Sequence, residues 1–151
     1  MATYEATVEW RVREDEDFTA NKYSRGHRWR FDGGADVRAS SSPHVVPEWS
    51  DPAGVDPEEA LVASLASCHM LFFLALAAKK GLQVTAYSDR ATGTMGKRDD
   101  GKEAMVSARL SPEVSFAGDP PEPSVVTAIH HRAHELCYIA NSVNFPVTVM
   151  A

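Results

Sequence analysis

The chain predicts an α+β domain in which mostly antiparallel strands accompany two helices. Three observations predict it. Apolar periodicity switches between the two-residue repeat of strands and the 3.6-residue repeat of helices, in the order strands, helix, strands, helix, strand. The first helix has both ends marked by capping residues, and the strand-like segments are bounded by Gly, Pro, Asp and Asn. With 151 residues and no repeat or linker, residues 1–151 read as a single domain large enough to bury a core without staples.

Residues 3–12 alternate as a strand does, with Val8, Trp10 and Val12 on one face. Two short strands, 28–31 and 37–41, flank the turn residues Asp32-Gly33-Gly34, and 43–55 is a loop rich in Pro, Ser, Asp and Gly. Asp56 then starts a long helix as its N-cap, with Pro57 at the first helical position and Glu58 and Glu59 against the positive end. Glu59 stands three residues after Asp56, the offset of a capping box. Lys79, Lys80 and Gly81 end the helix with cationic charge and a left-handed stop. Residues 83–95 and 105–116 read as two long strands, the second interrupted at Ser111-Pro112, joined by a hairpin turn over 96–101. Pro120-Pro121-Glu122-Pro123 stiffens the approach to a second helix over 124–139, whose apolar stripe is Val126, Ile129, Ala133 and Cys137. Residues 144–150 give a last strand.

A formal charge of −6 and the lack of a Lys/Arg stripe argue against nucleic acid as partner. The segment 60–78 approaches the length of a membrane span, but Ser64, Ser67, Cys68 and His69 interrupt its middle, so it is read as a core helix and no membrane partner is expected. The N-terminus lacks a basic region followed by an apolar run, which predicts a cytoplasmic protein.

The chain has two cysteines, Cys68 and Cys137, each in a helical segment. In a reducing compartment such a pair is more often redox-active than a structural disulfide. The thiolate is the nucleophile, and mid-helix Cys68 gains nothing from the helix dipole, so a cation must reach it from elsewhere in the fold. The loop Tyr23-Ser24-Arg25-Gly26-His27-Arg28 offers one, and Glu58, nearly three turns before Cys68 on the same face, is a fair acidic brace for an arginine.

Pro57-Glu58 leading to Cys68, with Ala133-His134-Glu135-Leu136-Cys137 later, resembles the OsmC/Ohr family of thiol-dependent peroxidases, and the order of elements agrees along the whole chain. The resemblance implies an OsmC-like fold, an intertwined homodimer with mostly antiparallel sheets around two central helices. It implies a peroxidatic Cys68, a resolving Cys137, a functional Glu58, and an arginine for which Arg25 is the best match and Arg28 the fallback. It further implies an organic hydroperoxide as substrate and a dithiol, of lipoyl type, as reductant, with no cofactor or metal. Cys68 is followed by His69 where the family commonly has Phe, Cys137 by Tyr138-Ile139-Ala140 rather than Pro-Tyr-Ser, and no Gly-Gly precedes the arginine. These departures mark a divergent branch. Two other readings compete: a non-catalytic OsmC-like dimer that binds a small molecule or acts in stress, and a zinc site at His130, His134 and Cys137, which share one helix face.

Overall fold

Helix α1, Pro57–Lys79, forms because both of its ends are chemically closed. The Asp56 carboxylate accepts from the Glu59 main-chain N–H at 2.8 Å, and the Glu59 carboxylate accepts from the Asp56 N–H at 2.9 Å, so two otherwise orphaned donors are satisfied reciprocally. At the other end Leu82 N–H donates to Ala77 O, Gly81 N–H donates to Ala78 O, and Gly81 takes a φ of +73° that a side chain would resist. This computed structural model describes residues 1–151, and the chain divides into the units Met1–Ala60 and Leu61–Ala151.

The first unit holds an antiparallel sheet in the order β1 (Ala6–Glu9), β2 (His27–Phe31), β3 (Asp36–Ala39). The predicted strand over 3–12 is shorter than its alternation suggested: Trp10 turns its indole N–H to the Ser24 carbonyl, and the chain leaves the ladder. After β3 the loop over 43–55 returns to the sheet, where Val55 exchanges main-chain hydrogen bonds with Arg38 and Ser40. Alternation along β2 and β3 sends Trp29 and Val37 inward and Arg28, Arg30 and Arg38 outward.

In the second unit the two long strands expected from periodicity each break in two. Residues 83–95 become β4 (Val84–Asp89) and β5 (Thr92–Lys97); residues 105–116 become β6 (Glu103–Leu110) and β7 (Pro112–Phe116). The breaks move the chain between sheets, since β4 pairs with β7 while β5, β6 and β8 (Val147–Val149) form another. Pro112 accounts for one break, and Asp89 fastens it by accepting the Ser111 N–H at 2.7 Å. All pairings are antiparallel except β6 with β8.

Helix α2, Pro123–Leu136, stops three residues short of the expected end. Cys137 caps it in extended geometry, and a 3₁₀ turn, Ala140–Ser142, follows. One stripe of α1, spaced by four, is fully buried: Leu65, His69, Phe73 and Ala77. Its early part packs with Ala108 and Leu110 of β6, and its later part with Ile129 and Ala133 of α2. The architecture is α+β, as the sequence predicts.

Candidate active site

Cys68 stands one residue before the buried stripe of α1, which leaves it half-buried, whereas Cys137 is buried at the end of α2. The two are free thiols, 69 positions apart in sequence, and they meet in the fold of the second unit. Burial pushes the Cys137 thiol up, and the adjoining Cys68 thiol pushes it further; the Ala140 N–H, donating to Cys137 Sγ at 3.4 Å, works in the opposite sense. The pair therefore combines one thiol with solvent access and one held in its neutral form.

Arg25 and Glu58 both belong to the first unit, and they are not paired there. The Arg25 guanidinium lies 3.5 Å from the centroid of the Tyr23 ring and donates to Asn21 Oδ1 at 2.8 Å and to the Tyr23 carbonyl. Glu58 Oε2 is buried without a hydrogen-bond partner, whereas most buried polar oxygens have one. Arg28, the fallback, sits on the exposed face of β2 in an ion pair with Asp36 at 2.7 Å. Arg25 instead lines a concavity of about 490 Å³ whose walls include Val8, Trp10, Phe18 and Tyr23. The three rings touch one another, with centroids 4.7–5.6 Å apart. Trp10 is thus part of a pocket wall.

A second feature escaped the sequence reading. His69 Nε2 and His130 Nδ1 are 3.0 Å apart with ring planes within 5° of parallel, and the Phe73 ring stacks on His130 with centroids 4.2 Å apart. Burial, reinforced by the neighbouring His130 and His134 charges, lowers His69 to about 4, and burial lowers His130 to about 4. Both rings are neutral near pH 7. The available signal was positional: His130 is four residues after Val126 and three before Ala133, on the same stripe.

The zinc reading is corrected by these positions. His130 spends Nδ1 on His69, Cys137 has left the helical face, and no group of three His, Cys, Asp or Glu side chains is placed to hold a metal ion.

A sequence profile described as OsmC-like protein matches residues 50–150. An OsmC-like protein of unknown function from Vibrio cholerae is 48% identical, with a TM-score of 0.97 and 99% of each chain covered. An organic hydroperoxide resistance protein from Elizabethkingia anophelis superimposes with a TM-score of 0.72 at 14% identity, over 99% of this chain and 96% of that one. The organic hydroperoxide resistance protein OhrB of Bacillus subtilis gives 0.67 at 16% identity, over 98% and 96%. At those identities the last two share the fold. No curated protein shows significant sequence similarity to the chain. The profile match and the Vibrio cholerae relative establish that this chain belongs to the OsmC-like family.

Proposed function

We propose that the protein is a thiol-dependent peroxidase that reduces organic hydroperoxides to alcohols. The observation that carries this reading is the meeting of Cys68 and Cys137 as free thiols of unequal access. The Cys68 thiolate attacks the distal peroxide oxygen, the O–O bond breaks, and the alkoxide takes a proton and leaves as alcohol. Cys68 becomes a sulfenic acid. Cys137 then attacks that sulfur, water leaves, and a disulfide forms; a dithiol of lipoyl type reduces it and is itself oxidised to a disulfide. Burial of Cys137 suits the second role, because a neutral thiol does not compete for the first attack.

Arg25 supplies the charge that stabilises the Cys68 thiolate, and Glu58, whose inner oxygen lacks a donor, orients it. To do so the guanidinium exchanges its contacts with Asn21 and the Tyr23 carbonyl for these partners. Those contacts leave its remaining N–H groups uncommitted. The aromatic wall beside Arg25 suits a hydroperoxide with an apolar substituent. The hold of Tyr23 and Asn21 on Arg25 favours the second reading, a non-catalytic binding dimer.

The assembly belongs to the proposal too. Helix α1 is 23 residues long and apolar enough to cross a bilayer by length and composition, yet only 22% of its most apolar stretch is buried. A cytoplasmic homodimer that covers the rest of α1 with a second copy accounts for both properties. The direct test is alkyl hydroperoxide consumption driven by a dithiol. Wild-type protein should turn over repeatedly and Cys68→Ser not at all; no consumption by either favours the binding dimer.

A further inference from the structure

The exposed face of the first sheet carries a concentration of arginines that the thiol chemistry does not use. Side-chain alternation places Arg28 and Arg30 of β2 and Arg38 of β3 on that face, and Arg11 and Arg13 join them beyond the end of β1. The five border one concavity of about 410 Å³, on a chain whose net charge is −6. Arg28 and Arg38 are direct cross-strand partners, and like charges placed opposite one another destabilise a sheet.

Carboxylates offset this only in part. Arg28 pairs with Asp36 at 2.7 Å, Arg30 with Glu9 at 2.9 Å and with Asp36 at 3.5 Å, and Arg38 with Asp51. Arg28 and Arg38 make these contacts through Nε, so their terminal N–H₂ groups stay free. Arg11 has no ion-pair partner; the Arg13 main-chain N–H donates to Glu16 Oε2 at 2.9 Å, but its guanidinium acts on Glu16 and Asp51 only through space. The concavity therefore keeps an excess of guanidinium donors, and guanidinium forks match phosphate oxygens in pairs.

We propose that this concavity is a binding site for a small, multiply charged phosphate-type anion. Its volume falls at the lower end of the range for small-molecule sites, about 300–1,000 Å³. The negative charge of the rest of the chain disfavours an extended polyanion, which would have to cross acidic surface. The proposal stands independently of the peroxidase reading.

Inorganic pyrophosphate is the probe. At low ionic strength it should bind saturably to the wild-type protein in calorimetry and change the Trp fluorescence. Arg11→Gln with Arg13→Gln, two residues outside the strands, should weaken binding at least tenfold. Lys97→Gln with Lys102→Gln, which removes equal charge from the β5–β6 hairpin, should leave it unchanged. Arginine Nε–H resonances in the unmodified protein, which no folding defect can confound, should shift at the five named positions and not at Arg132. Absence of saturable binding at 5 mM pyrophosphate overturns the proposal. So do equal losses in the two double variants, or resonance shifts spread over the whole chain.

Discussion

Cys137 closes a helix instead of sitting inside one, and its sulfur accepts the Ala140 N–H while its own N–H donates to the His134 carbonyl. In the proposed reaction a thiol fixed in this way is the positioned partner of Cys68. Cys137→Ser is expected to support about one turnover per subunit, after which Cys68 accumulates as sulfenic or sulfinic acid, measurable by intact-mass analysis. Arg25→Ala should slow the reaction with hydroperoxide about 100-fold, the scale of losing one preorganised charge contact, with Arg25→Lys retaining part of the rate. Arg28→Ala should leave it near wild type, since that side chain belongs to the exposed face of β2. The histidine pair makes a pH prediction. His69 and His130 stand at about 4 in the fold, below the usual value near 6.5, so the unfolded chain takes up their protons first. Stability from this pair is complete above about pH 6.5 and falls as pH drops towards 4, by at most about 1.4 kcal/mol per pH unit for each ring. Urea titrations at several pH values should show this slope in the wild type and a reduced one in His69→Phe.

At the level of elements, α1 was legible in detail because its boundaries are written in local chemistry: Asp56 and Glu59 cap each other, and Gly81 takes the left-handed turn. Asp56→Ala should accordingly cost about 1 kcal/mol in thermal or chemical unfolding. The end of α2 was not legible, because Cys137, Tyr138 and Ile139 continue the apolar pattern while the backbone has already turned. Long strands were misread for a related reason. Periodicity reports which side of a strand is apolar but not which sheet it joins, so the move from β4 to β5 near Arg90 left no signal in the pattern. The loop after β3 contains a tighter constraint than its composition suggests. A Cβ on Gly54 would stand 2.9 Å from the Ala39 carbonyl carbon and 3.0 Å from Ser40 N, both main-chain atoms. Gly54→Ala should therefore cost about 1–3 kcal/mol, the range for overpacked positions, by urea unfolding.

For the whole molecule, the α+β class and the family followed from the order of elements and the Pro-Glu, Cys and Ala-His-x-x-Cys strings. The proximity of the thiols could be inferred from the sequence only through the resemblance, since no local rule brings residue 68 to residue 137. The proposed dimer follows from α1, whose Leu71 is 61% exposed in the middle of an apolar helix. Light scattering should give twice the chain mass for the wild type and a shift towards monomer for Leu71→Asp. The central claim is that Cys68 and Cys137 form one redox couple. The measurement that tests it most directly is mass spectrometry of peptides from non-reduced protein, before and after one equivalent of an alkyl hydroperoxide. A Cys68–Cys137 disulfide should appear with the peroxide and disappear with a dithiol. Both cysteines recovered as free thiols, with the peroxide unconsumed, would contradict it.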